Sequence, residues 1–205
     1  MFEVKEESGN IIIARNRWDA VIDWCIDGLK SLRIESLPEP VPAFQTAGRF
    51  IAEGIDRDGR VMWREPFKNG TTNGGLDNVL SVYLGAGTQT TIWYMGLIDN
   101  AGFSTLAAGD TMSSHAGWSE STAYTEGVRQ TWPPAAVSGQ SITNTTNVTF
   151  SINTTVTIAG AFLVSNSTKG GSTGILWATG QFTSAQALTS GKSLKITYTC
   201  TASAS

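Results

Sequence analysis

The chain has 205 residues, a net charge of −3 and a pI near 5.1. That balance excludes non-specific nucleic-acid binding, which needs a basic footprint. No run approaches the roughly 18 consecutive apolar residues of a membrane-spanning helix, so neither nucleic acid nor membrane is expected as a partner.

Charge is unevenly spread. Residues 1–70 hold 10 of the 14 basic and 12 of the 17 acidic side chains. From Thr71 onward the chain is built from Ser, Thr, Gly, Asn and short apolar runs, which suits β-strands with hydroxyl-bearing outer faces. A surface with so little charge is expected to face another protein. The opening Met-Phe-Glu-Val-Lys-Glu-Glu lacks the basic-then-apolar pattern of a secretory signal, implying synthesis in the cytoplasm.

In chain order, Trp18, Val21, Ile22, Cys25, Ile26, Leu29 and Leu32 recur at steps of three and four. This spacing predicts a helix over 18–33 with one apolar face, Asp19 in its first turn and Gly28 weakening its middle. Three prolines within Leu37–Pro42 predict an extended linker. Residues 1–46 thus read as an N-terminal arm and 47–205 as a β domain. The arm is expected to anchor the domain through Trp18, Val21, Ile22, Ile26 and Leu29.

Gly48–Ile55 and Arg60–Trp63 flank Asp56-Arg57-Asp58-Gly59, the signature of a hairpin turn. A calcium loop is disfavoured there because no glutamate stands at its twelfth position. Asn73-Gly-Gly precedes Leu76, Val79, Leu80 and Tyr83, predicting a short helix over about 75–84 with Asn73 as N-cap and Gly85 as stop. Thr90–Ile98 reads as a strand buried on both faces. Further strands are expected at Val148–Ile152, Thr155–Ser165, Gly174–Phe182 and Leu194–Cys200, the last half-exposed. The expected fold is mainly β: an antiparallel β-sandwich of jelly-roll type behind a helical or extended arm.

Residues able to carry chemistry are few. His115 is the single histidine and lies near Ser113, Ser114 and Asp110, but no strained nucleophile turn supports a triad. Asp99, Asp110, Glu120 and Glu126 could serve glycoside hydrolysis or bind calcium, and are expected instead to bond backbone N–H groups or Arg129. Cys25 and Cys200 read as free thiols. Five Asn-x-Ser/Thr sequons, at Asn69, Asn144, Asn147, Asn153 and Asn166, read as by-products of Asn/Thr-rich strands. No zinc-ligand spacing, phosphate-cradling glycine motif or dinucleotide fingerprint is present, so no catalytic residue, cofactor or metal is assigned. Trp118 and Trp132, in predicted loops, are the aromatic residues expected to reach a ligand or a neighbouring subunit.

The order of motifs points further. Asn73-Gly-Gly-Leu76-Asp-Asn-Val-Leu80 is followed by Trp93-Tyr-Met-Gly-Leu-Ile98, then by Ala108-Gly-Asp-Thr-Met112 and His115-Ala-Gly-Trp118-Ser-Glu120. Tyr124-x-Glu126-x-x-Arg129, Val148-Thr-Phe-Ser-Ile152 and Gly160-Ala-Phe-Leu163 complete the series. It resembles a family of small structural proteins of tailed-bacteriophage virions, over roughly Arg60 to Thr199. The resemblance implies a virion component without catalytic residues. By analogy, a small β module of this kind decorates or cements the capsid as a homo-oligomer, a trimer being favoured, bound to the major capsid protein or other virion proteins. The alternative is a receptor- or carbohydrate-binding module of a tail or head fibre. A glycan hydrolase is the enzymatic rival.

Overall fold

The computed structural model describes the strands β1 (Phe2–Glu6), β2 (Ile11–Ala14) and β3 (Leu32–Ser36), and the continuous stretch Phe44–Ala204. The first three strands form a small antiparallel sheet in the order β2-β1-β3. β3 corrects the end of the expected helix, because Leu32 and Arg33 are extended and pair with Glu6 and Lys5. The reason is visible in Leu32-Arg-Ile-Glu-Ser36, whose period of two supports a strand once Phe2–Glu6 supplies a partner. Trp18, Val21, Ile22, Cys25, Ile26, Leu29 and the proline-rich segment lie outside the described residues.

Phe44–Ala204 forms a compact unit by itself. It holds β4 (Phe44–Ile55), β5 (Val61–Thr71), α1 (Asn73–Leu84), β6 (Trp93–Asp99), β7 (Ser119–Ser121) and β8 (Gln130–Trp132). It continues with β9 (Ser141–Thr143), β10 (Val148–Ser151), β11 (Val156–Val164), β12 (Leu176–Leu188) and β13 (Ser193–Ala204). All ten strands join one antiparallel sheet in the order β10-β13-β4-β5-β12-β11-β6-β7, with β8 beside β6 and β9 beside β13. The sheet curls on itself. Its ends approach where Tyr124, just past β7, bridges to Ile152 beyond β10, and Thr125 N–H reaches the Ser151 carbonyl at 2.8 Å.

Local chemistry explains the elements. The β4–β5 hairpin turns at Asp56-Arg57-Asp58-Gly59, as its Asp-Gly signal indicates. The Asp56 carboxylate accepts from the N–H groups of Asp58 (2.9 Å) and Arg60 (2.8 Å), and Gly59 takes φ +82°, so this acid is committed to the turn. α1 begins two residues earlier than expected, at Asn73, with Thr72 rather than Asn73 as the N-cap. Thr72 Oγ1 accepts from Gly75 N–H at 3.1 Å while donating to the Leu176 carbonyl, so β12 fixes the capping rotamer. Gly75 is required by the close approach: a Cβ there would stand 2.7 Å from the Trp177 carbonyl oxygen. The helix stops at Gly85, whose N–H reaches the carbonyls of Leu80 and Ser81.

The curl encloses the larger core. Phe50, Phe67, Phe150, Tyr198, Leu97, Leu163, Leu188 and Ile196 meet inside it. Phe50 stacks on Phe67 at 5.0 Å, and Phe67 meets Phe182 edge-on at 4.7 Å. β6 and β11 are buried on both faces, as their continuous apolar runs indicate. Ile98, Phe162, Val164 and Leu176 turn outward into a second cluster, covered by the loop between β6 and β7 through Met112 and Trp118. In β13 Leu194, Ile196 and Tyr198 are buried while Lys195, Thr197 and Thr199 are partly exposed, the alternation of a half-buried strand.

Candidate functional site

The loop from Asn100 to Trp118 carries the histidine and one acid of interest, Asp110, and its chemistry is turned inward. Asp110 Oδ2 accepts from Trp118 Nε1 and from Ala107 N–H, both at 2.9 Å. His115 lies flat on the Trp118 ring, with centroids 4.0 Å apart, and its Nδ1 bonds the Trp118 carbonyl at 2.8 Å. Trp118 packs against Phe162 at 5.2 Å and is only 4% exposed. The expectation that Trp118 reaches a partner is therefore corrected, because the loop folds back over the sheet and uses the indole as its anchor. Trp132 is likewise buried, at 5%. It pairs with Trp93 across β8 and β6, donates to Asn144 Oδ1 at 3.3 Å and meets Tyr198 edge-on.

Every acid of the 99–126 stretch is committed. Asp99 caps Ala101 N–H at 2.8 Å, and Glu126 accepts from Ser151 N–H at 3.1 and 3.2 Å. Glu120 and Arg129 form a bidentate pair, Nε to Oε1 at 2.9 Å and Nη2 to Oε2 at 2.7 Å. Arg129 is fully buried. It also donates to the carbonyls of Asn166 (3.0 Å) and Gly171 (2.6 Å) and sits 5.3 Å from the centre of the Phe162 ring. Glu120 further accepts from Gly170 N–H at 2.9 Å. Lys169, in the same loop, donates to the carbonyls of Tyr124 and Glu126 and lies over the Tyr124 ring. These groups hold the 165–174 loop to the 120–129 segment. Among the described residues no group of three or more His, Cys, Asp or Glu is arranged to hold a metal ion.

Two phenols and a thiol carry shifted acidities. Burial pushes the Tyr124 phenol well up, with Glu120 adding to the rise and Arg129 opposing it. Burial also raises Tyr198, whose Oη accepts from Trp177 Nε1 (3.0 Å) and Asn69 Nδ2 (3.2 Å). The neighbouring free thiol of Cys200 is pushed up by burial, an effect the Tyr198 hydrogen bond partly offsets. Such a thiol is a poor nucleophile at neutral pH.

Among the described residues, one group of exposed large apolar side chains lies on α1. α1 fully buries only Gly75, while Leu80, Tyr83 and Leu84 are 54%, 77% and 84% exposed. Ile92, which follows in the chain, is also half exposed. The same residues 73–92 carry one charged side chain, Asp77. The helix was legible in the sequence, but its unpartnered face was not, since a 3.6-residue period does not say which apolar residues find a cover. Compared with protein-family models, with curated proteins and with solved structures, the chain matches none.

Proposed function

We propose that this chain is an accessory structural protein of a tailed-phage virion, a decoration or cement subunit that stabilises the head lattice. In this reading the curled sheet is a β-sandwich of jelly-roll type. The observation that carries the assembly reading is the exposed set Leu80, Tyr83 and Leu84 on a helix with one charge. Three large apolar side chains grouped on one short helix favour burial against another protein, because each removes apolar area from water on contact. The commitment of Asp99, Asp110, Glu120 and Glu126 to backbone and Arg129 supports a structural role over a glycan hydrolase. The partner is the major capsid protein or another virion protein, engaged by a homo-oligomer, a trimer being favoured. Repeated modest contacts across a lattice then multiply into firm binding.

The test is incorporation. The variant Leu80→Asp/Leu84→Asp is expected to fold with unchanged melting temperature, since both side chains are exposed, and to lose co-sedimentation with capsids. Full occupancy of particles by this variant refutes the role of α1.

A further inference from the structure

β5 and β12 pair over only three residues, Thr71, Gly70 and Asn69 against Ala178, Thr179 and Gly180, and then part. Each strand continues with its other neighbour, β5 along β4 back to Val61 and β12 along β11 on to Leu188. Beneath the gap Phe67 and Phe182 close the core edge-on. Glu65 reaches across to the Thr183 N–H and the Gln186 amide. Over this sealed floor lies a cleft of about 630 Å³, walled on a third side by Leu106–Ala108.

Its lining is unusual for this protein. Pro66, Lys68 and Gly70 alternate with the core residue Phe67, and Thr179, Gln181 and Thr183 alternate with Phe182, so both trios point into the cleft. Among the described residues Lys68 has no ion pair and Gln181 no side-chain hydrogen bond, in contrast with the committed acids of the 99–126 stretch. A Cβ on Gly70 would meet nothing within 4 Å, and its φ is not positive. A glycine inside a strand forgoes side-chain packing and costs conformational entropy. Where neither turn geometry nor crowding demands it, a bare position suits close approach of a ligand.

We propose that this cleft binds an acidic saccharide. Lys68 pairs with its carboxylate or sulfate, and Gln181 with the hydroxyls of Thr179 and Thr183 bonds its ring hydroxyls. Pro66 and Leu106 form the apolar ledge for the ring C–H face, and Gly70 leaves room for the ring itself. An added peptide strand fits less well. Pro66 offers no N–H on the β5 edge, and Glu65 already occupies the Thr183 N–H on the β12 edge. The proposal goes beyond the assembly reading and does not depend on it, because the cleft and the α1 face share no residue.

The experiment is an array of uronate-, sialate- and sulfate-bearing oligosaccharides with their neutral counterparts and an oligo-glutamate peptide, read against full-length protein. Backbone amide NMR shifts for the strongest ligand follow. Binding to acidic members is expected, with shifts at Gly70 and Thr179–Thr183. It should weaken at least tenfold in Lys68→Ala and in Gly70→Val, both retaining the wild-type melting temperature. No acidic member bound, neutral members or the peptide bound equally well, or binding undiminished in Lys68→Ala would each overturn the proposal.

Discussion

Arg129→Ala probes how the fold holds the loops that flank its outer cluster. Arg129 is fully buried and spends its guanidinium on both oxygens of Glu120 and on the carbonyls of Asn166 and Gly171. Truncation leaves the Glu120 carboxylate, itself only 5% exposed, without its counter-charge. It also strands two carbonyls and removes a cation from the face of Phe162. Removing one partner of a buried pair costs about 3–5 kcal/mol, mostly because the remaining charge is left uncompensated. Glu120 keeps the Gly170 N–H, which limits the loss toward the lower end of that range. For a domain of this size, the melting temperature should fall by roughly 6–20 °C. Urea denaturation at pH 7 is the assay. The double variant Arg129→Met/Glu120→Gln should recover part of the loss, since neither residue then carries a buried charge. A loss below about 1 kcal/mol for Arg129→Ala would refute the reasoning, because that is the magnitude of a water-screened surface pair.

Other expectations follow from the same packing. Gly160→Ala should be severely destabilising, by about 3 kcal/mol or more against the roughly 1–3 kcal/mol of ordinary overpacking, because its Cβ would lie 2.0 Å from the Gly180 carbonyl oxygen, which cannot rotate away. Gly70→Ala, with open space above it, should leave thermal stability unchanged or raise it by about 0.4–1 kcal/mol, as measured by the same denaturation. Asp110→Ala should cost about 1–3 kcal/mol and red-shift the tryptophan emission, since it frees the Trp118 indole N–H and the loop covering the second cluster. Stability should decline in alkali. Burial raises the folded-state pKa of both Cys200 and Tyr198, so their contribution is intact below the unfolded-state values, about 8.5 and 10, and is lost as pH rises through and beyond them. Cys200→Ala should remove the earlier part of that decline, and a maleimide should label the folded thiol far more slowly than a free cysteine at pH 7.

Much of the β domain was legible because its long strands carry their own pattern. Met95-Gly-Leu-Ile98 and Ile158–Val164 announce two-sided burial, and Leu194, Ile196 and Tyr198 announce one-sided burial. The Asp-Gly turn and the Gly85 stop were equally readable. The short strands were not. Ser119–Ser121, Gln130–Trp132 and Ser141–Thr143 hold three residues each, too few to show a period, and exist because β6 and β13 offer them partners. β1 was not legible although Phe2 and Val4 alternate with Glu3 and Lys5, because two apolar residues in a five-residue strand make too short a pattern without the partners β2 and β3. The outward reach expected of Trp118 and Trp132 fails for a different reason. Irregular segments lack periodicity, so their burial depends on tertiary partners such as Asp110 and Asn144. The commitment of the four acids and Arg129 was expected from the sequence, while the bidentate geometry and the parting of β5 from β12 arise only in three dimensions.

On the reading proposed above, this chain is a structural part of a phage particle. Quantitative mass spectrometry of purified virions, scaled to the major capsid protein, tests it most directly. A copy number in the hundreds is the predicted result and corresponds to decoration of the head lattice. Absence of the chain from particles that are complete and infectious contradicts the account.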